Sequence, residues 1–441
     1  MPPSPKADKL CASLCKFFLF LGIFSRIFIY AGGADLWLEE ALLWEKFKPL
    51  IGGFSISEYA LRLFPLLAGI ATLGLAYVFA VREFGIRFAC IFIFLLACSD
   101  PLLFYSVNFS LYGIEAFLIV LCLCVWSFSE RNNAALVLLI SLSTILCIIS
   151  NYNPNESGTV KNYYIHILGR HFIDFHYIVF GAFVWINAAF FILPFCMGSV
   201  FLYKEKRALF IAVFSAIFIL LLFHVLKIAP LGMPYNDFMR IMRNWAQMQI
   251  TGSKYLVFIL PLIFIPVALC VHKVFLRMGN ATLIPVFCVL AFLALSSNSI
   301  RMHKGIGSPQ SAEILLQINE NANAKSLIYV DSVSRPIFEY YLSKKPFKDN
   351  PNLNYFSVQS NGYMYLNNQI FIGKYHGRTE ELFDVMKNFE AENAFFFFTF
   401  NNFSAIQQSN NLIEYIQKKY TGKSQGFQSK LTGAAWVKML D

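Results

Sequence analysis

The sequence predicts a multi-pass α-helical membrane domain followed by a small α/β domain. Three observations predict it. Of the 441 residues, 57% are hydrophobic and only 14% charged, with a mean hydropathy of +0.56. Soluble globular chains run near roughly 45–50% apolar and about 25% charged. Apolar runs of spanning length recur through residues 1–299 and then stop, and from Arg301 onward the apolar clusters shrink to the size of single strands and amphipathic helices. A single soluble domain, a disordered chain and a secreted disulfide scaffold are all excluded, because 48 Phe cannot be hidden by a water-facing surface of this composition.

A run of about 17–25 apolar residues can cross a hydrocarbon core roughly 30 Å thick. Nine such runs are read: 16–32, 59–81, 86–99, 111–128, 133–150, 177–202, 208–228, 255–272 and 280–298. The small residues Ala31-Gly-Gly-Ala34 after the first run resemble a cleavage site, but the run is long enough for an uncleaved anchor and is read as one. Alternate loops carry Lys6, Lys9 and Lys16; Arg82 and Arg87; Arg131; Lys204, Lys206 and Arg207; and Lys273 and Arg277. That bias places the N-terminus in the cytoplasm and, after nine spans, the C-terminal domain outside. The opposite loops carry Asp35, Glu39, Glu40, Glu45, Asp100, Glu156, Asp174 and Asp237.

The first domain is thus residues 1–299, with a first outer loop at 33–58, and the second is 300–441. In the second, Ser326–Val330 reads as a buried strand, Arg335–Leu342 as a helix and Glu380–Phe389 as an amphipathic helix. Ala394–Phe400 reads as another apolar strand, Asn411–Tyr420 as a helix and Ala434–Leu440 as a strand closing the sheet. Strands alternating with helices predict an α/β layer arrangement, and about 140 residues suffice to bury a core.

The net charge of +10 is a membrane-flank feature and not a nucleic-acid face. Residues 1–299 hold 21 Lys/Arg against 14 Asp/Glu, and residues 300–441 hold 15 against 12. All ten cysteines, Cys11 to Cys288, lie in the apolar part without a CxxC pair, and read as small apolar residues between helices.

Chemistry concentrates in the first outer loop, Gly33-Ala-Asp-Leu-Trp-Leu-Glu-Glu-Ala-Leu-Leu-Trp44. Asp35 and Glu39 share a helical face at i,i+4. The bland reading is an interfacial helix with Trp anchors and hydrated acids. The sharper one is a carboxylate that deprotonates an acceptor hydroxyl at a membrane mouth. Glu115 lies one turn inside the fourth span, where a carboxylate is costly and so points to function. Asp100-Pro101 reads either as a turn or as an acid at an outer mouth. Arg62, Arg240, Arg243 and Lys254 flank positions where cations could offset a phosphate leaving group, or else snorkel; Arg240 and Arg243 sit on an amphipathic stretch, Asp237–Gln249. His166, His171 and His176 recur every five residues, which does not put them on one face, and they are not read as a metal site.

Leu36-Trp-Leu-Glu-Glu-Ala41 resembles the "LW-x-DEA" first-loop signature of bacterial membrane glycosyltransferases of the GT-C superfamily, relatives of the protein O-mannosyltransferases and the aminoarabinose transferase (glycosyltransferase family 39-like). Glu58-Tyr-Ala-Leu-Arg-Leu-Phe-Pro65 is similar to that family's "E-x-A-LR-x-P" entry into the second span. Tyr105-Ser106 with Tyr112 and Glu115 resembles its "YS" block, Lys254-Tyr255 its late "RY…P" span, and Ser326–Tyr341 its outer-domain strand and helix. The resemblance implies sugar transfer from a polyprenyl-phosphate donor to a glycan, lipid or protein acceptor at the outer face of the bacterial inner membrane. It implies Glu39 as general base in place of the family's Asp, and Glu40 and Asp100 as orienting acids. Asp35, Arg62, Tyr105, Tyr112, Glu115, Arg240, Arg243, Lys254 and Tyr255 would form the substrate site. No cofactor is implied beyond room for a divalent metal, and no nucleic acid. The chain departs from the family at Asn108 and Ser110, where the block's two charges are missing, and no "Q-x-P" element lies between Glu39 and Glu58. The rival reading is a non-catalytic transport or assembly protein for lipid-linked glycans on the same scaffold; the absence of an internal repeat disfavours transport.

Overall fold

The computed structural model describes residues 5–32, 35–36, 38–51, 57–129, 132–150, 184–226, 254–277, 311–321, 326–330, 334–342 and 344, and the strands at 357–360, 363–366, 370–372, 393–399, 424–428 and 432–438. The chain forms two compact units. One comprises Met1–Gly32 with Tyr59–Met302, and the other Gly33–Glu58 with His303–Asp441.

The first unit is helical: α1 (Pro5–Ala31), most of α3 (Glu58–Phe84), α4 (Ile86–Cys98), α5 (Asp100–Val107), α6 (Leu111–Phe128), α7 (Asn133–Ser150), α8 (Val184–Glu205), α9 (Arg207–Val225) and α10 (Leu260–Arg277), the last preceded by a 3-10 turn at Lys254–Ile259. Five of these helices are long and apolar enough to cross a membrane, or six if the bent pair α4–α5 is one span. Large side chains on them face outward: Phe20, Phe24 and Phe28, one turn apart on α1, stack in a row at 6.0 Å, and Phe28 is 68% exposed. Exposed apolar rows on long helices are what lipid solvates, and the chain is an integral membrane protein.

The expectation of nine spans is met in part among the described residues. The third run is not a span by itself, since α4 has only 13 residues; it meets α5 at a 60° bend. Asp100-Pro101 is therefore the first turn of a helix and not a loop between spans. Pro suits that place because its missing N–H would have no partner there and its φ is already helical. Tyr105 and Ser106 close α5 instead of opening the next span. The apolar stretch of α9, Arg207–Phe223, is shorter than the five spanning helices. The run at 280–298 and the start of that at 177–202 lie outside the described residues, as do Glu380–Phe389, Asn411–Tyr420, Asp237–Gln249 and the three outer-loop histidines.

Local signals explain the boundaries. Gly85 separates α3 from α4 at φ 88°, a conformation a side chain would resist, while its N–H still donates to the Val81 carbonyl at 3.0 Å. Asn132 caps α7, its Oδ1 accepting the Ala134 and Ala135 N–H groups at 3.1 Å. Ion pairs tie elements of this unit together: Asp8–Arg87 at 2.6 Å, Glu83–Lys206 at 2.8 Å and Glu205–Lys273 at 2.6 Å. α8 packs on α10, and Gly198 sits so close that a Cβ there would lie 1.7 Å from the Pro266 carbonyl oxygen. Small residues let membrane helices approach in this way. Gly198→Ala is therefore expected to cost about 1–3 kcal/mol or more by overpacking, read as a lowered Tm of the full chain in detergent; a Tm equal to the parent's would refute this packing.

The second unit carries helices α2 (Leu38–Ile51), α11 (Ser311–Asn321) and α12 (Arg335–Leu342), and a seven-stranded sheet ordered β2-β3-β4-β1-β5-β7-β6. Its strands are β1 (Ser326–Val330), β2 (Ser357–Ser360), β3 (Tyr363–Leu366), β4 (Ile370–Ile372), β5 (Asn393–Thr399), β6 (Ser424–Gln428) and β7 (Thr432–Lys438). β1 lies parallel to β4 and β5, and the other pairs are antiparallel. The strand expected at Ala434–Leu440 is β7, but it runs between β5 and β6 instead of closing the sheet. In β1 and β5, Ile328 and Val330 are buried in register with Phe395 and Phe397. Phe338 of α12 lies against Phe397, at 5.8 Å between ring centroids.

Candidate active site

In the second unit, the acid-bearing segment is a folded helix and not a loose interfacial one. α2 turns inward its apolar positions Ala41 and Trp44, with Leu36 buried just ahead of it. Trp44 meets the Tyr340 ring edge-on at 5.8 Å, which corrects the expectation of a Trp membrane anchor at this position. Glu40 is only 2% exposed. Asp35 is half-buried, and its Oδ2 accepts the Ala312 N–H at 2.7 Å, so it caps the first turn of α11 from a distant part of the chain. The Leu36 N–H donates to the Tyr341 hydroxyl at 3.0 Å. Burial first, and then the Asp35 charge, push the Tyr341 hydroxyl up, so it stays protonated at neutral pH. Lys344 Nζ donates to Glu58 Oε1 at 2.6 Å and to the Tyr340 hydroxyl. Glu39 lies on α2 between these anchored positions; its side chain, like Trp37, is outside the described residues.

Glu45 approaches α12 near Arg335 and Glu339, which pair at 2.7 Å. Burial, and next the Glu339 charge, raise the Glu45 carboxyl above its ordinary value of 4.5. A folded-state value above the unfolded one means that the folded protein holds this proton more tightly. The contribution to stability is then largest below the unfolded value and is lost as pH rises through the folded value. Glu45→Gln is accordingly expected to raise the Tm at neutral pH, with the gain vanishing near pH 4. An equal gain at both pH values would contradict this sign.

In the first unit, Arg62 on α3 is buried, as are Tyr105 on α5 and Tyr112 and Glu115 on α6. The Tyr105 and Tyr112 rings meet edge-on at 4.9 Å. Glu115 accepts the Ser150 hydroxyl at 2.7 Å, which ties α6 to the end of α7. Ser110 stands at the N-cap position of α6 in extended conformation, and its hydroxyl donates to the Tyr105 carbonyl at 3.3 Å instead of bonding the first turn. Asn108, at the end of α5, buries an amide nitrogen with no hydrogen-bond partner among the described residues. Asp100 begins α5, and Lys254 and Tyr255 the 3-10 turn, with their side chains outside the described residues; Arg240 and Arg243 lie wholly outside them. Among the described residues, no three His, Cys, Asp or Glu side chains gather as a metal site would require.

Sequence reasoning passed over several residues. Arg26 is 2% exposed near the C-terminal end of α1; its Nη1 donates to the Gly22 carbonyl at 2.9 Å and its Nε lies beside Gly69. A lone charge in an apolar run was the available signal. Tyr341 and Lys344 left none, because their partners lie about 300 positions away.

No protein-family model and no curated protein matches this sequence. Among solved structures, the chain is similar to ArnT from Cupriavidus metallidurans bound to undecaprenyl phosphate, with 10% identity over 97% of each chain and a TM-score of 0.37. Superposition that loose carries no conclusion about the chemistry of this chain.

Proposed function

We propose that the chain is a membrane glycosyltransferase of GT-C type that moves a sugar from a polyprenyl-phosphate donor to a glycan, lipid or protein acceptor at the outer face of the bacterial inner membrane. The observation that carries this reading is the folded state of the acidic segment. Asp35, Leu36, Glu40 and Trp44 are engaged or buried, whereas a hydrated interfacial helix would leave them free. A carboxylate on such a helix is held in place, and positioning supplies much of catalysis.

In this mechanism Glu39 accepts the proton of an acceptor hydroxyl, whose oxygen attacks the anomeric carbon as the bond to the phosphate oxygen breaks. The configuration inverts, and the proton leaves on Glu39. Arg62, Lys254, Arg240 and Arg243 offset the charge that develops on the departing phosphate. Glu40 and Asp100 orient the acceptor, and Tyr105, Tyr112, Glu115 and Tyr255 complete the substrate site. The N-terminus is cytoplasmic and residues 300–441 periplasmic.

Two measurements test the reading. Deleting the gene should cause a polyprenyl-phosphate-linked sugar to accumulate, and an unchanged lipid pool would remove the enzyme reading in favour of an assembly role. A reporter active only outside the cytoplasm should work when fused after Asp441 and fail after Lys206; the reverse pattern would overturn both the orientation and the outer active site.

A further inference from the structure

The acidic segment is held by groups that belong to the C-terminal part of the chain. The Leu36 N–H ends on Tyr341 of α12, the Asp35 carboxylate on the Ala312 N–H of α11, and the Glu58 carboxylate on Lys344 just past α12. The Trp44 indole packs on Tyr340 of α12. These four attachments bracket α2 from both sides, at Asp35 and Leu36 before it and at Glu58 after it, with Trp44 in its middle. They use different chemistry: a neutral backbone donor, a charge-assisted cap, an ion pair and a ring contact.

We propose that Tyr341 and Asp35 are positioning residues that clamp the N-terminal end of α2 onto α12 and α11, so that the C-terminal domain sets where Glu39 stands. This rests on the reading of Glu39 as the base. It gives Asp35 a different part from the substrate contact implied by its loop position, because its carboxylate is spent on a helix N-terminus. It also makes the C-terminal domain a component of the active site and not an appended cap. A shift of about 1 Å in a reacting group can cost about a hundredfold in rate, and the clamp meets the chain only three and four residues before Glu39.

The test uses the full chain with Tyr341→Phe, Asp35→Ala and Asp35→Asn. Amide hydrogen exchange is followed on the purified protein, and the pool of polyprenyl-phosphate-linked sugar is measured by mass spectrometry in cells at matched protein abundance. Tyr341→Phe keeps the ring and removes only the hydroxyl acceptor. With Asp35→Ala, it is expected to speed exchange over residues 36–45 by about tenfold, the effect of losing one buried hydrogen bond, while the strands exchange as in the parent. Both variants should raise the lipid-linked pool toward the Glu39→Gln level. Asp35→Asn keeps an acceptor oxygen for the Ala312 N–H and should recover most of what Asp35→Ala loses in both measurements. Parental exchange in Tyr341→Phe and Asp35→Ala overturns the clamp. So does faster exchange with a parental lipid pool in a background where Glu39→Gln raises that pool. An Asp35→Asn pool as high as that of Asp35→Ala, with parental exchange, also overturns it and returns Asp35 to the substrate. A parental pool in Glu39→Gln overturns the transfer reading instead, and the exchange measurement then decides the clamp alone.

Discussion

Glu39→Gln should nearly abolish sugar transfer, lowering the rate by about 10²–10⁴, the usual cost of losing a general base. The substitution keeps size and hydrogen-bonding capacity and removes only the ability to take a proton. Its neighbours supply the comparison. Glu40 is buried on the same helix, so Glu40→Gln preserves volume, leaves the base intact and should reduce transfer modestly through orientation. The two variants should be alike in abundance and Tm, because the anchors of α2 at Leu36, Trp44 and Glu58 are untouched by either. Transfer by Glu39→Gln at the parental rate, at equal membrane abundance, would remove the base assignment. Asp35 would not replace Glu39 as base, since its Oδ2 is engaged with the Ala312 N–H. Glu40 would take that place.

What could be read from the sequence follows from where each signal lives. Spans at 111–128 and 133–150 coincide with α6 and α7, because an unbroken apolar run is a local property bounded here by Asn132 and Asn133. Strand Ser326–Val330 and helix Arg335–Leu342 likewise carry their period within a few residues, and both have the expected bounds. α1 starts at Pro5, well before the apolar run at residue 16, because a helix can continue into a polar stretch where Asp8 finds Arg87. The bend at Ser99–Asp100 falls at the end of the run read at 86–99, where the Asp-Pro step is the local signal, and the short helix after it, α5, lies in no apolar run read as a span. In the candidate site the acids were legible, but their surroundings were not. The partners of Asp35, Leu36, Trp44 and Glu58 are Ala312, Tyr341, Tyr340 and Lys344. Separations near 300 residues leave no periodic trace, so Trp44 read as an interfacial anchor when it is a packing residue.

The largest stability effect should come from Glu83, at the last turn of α3. Its side chain is fully buried; Oε1 accepts the Ser127 hydroxyl at 2.6 Å and Oε2 accepts Lys206 Nζ at 2.8 Å. Lys206 also lies 5.9 Å from the centroid of the Phe84 ring and keeps 27% of its side chain exposed. The carboxylate thus joins α3, α6 and the junction of α8 with α9. Removing one member of a buried pair costs roughly 3–5 kcal/mol, because the other charge keeps its desolvation penalty. Partial exposure of Lys206 lets water recover some of that, which puts Glu83→Leu near the lower end, about 3 kcal/mol. Lys206→Met should cost as much or more, since it is Glu83 that has no water to turn to. If the loss is electrostatic, the double variant Glu83→Leu/Lys206→Met should regain most of it, because paired apolar side chains replace a buried ion pair at little cost. Thermal unfolding of the four proteins in detergent reads the cycle. Additive losses in the double variant would mean that Glu83 and Lys206 act independently, and that the Ser127 bond alone accounts for the burial of this carboxylate.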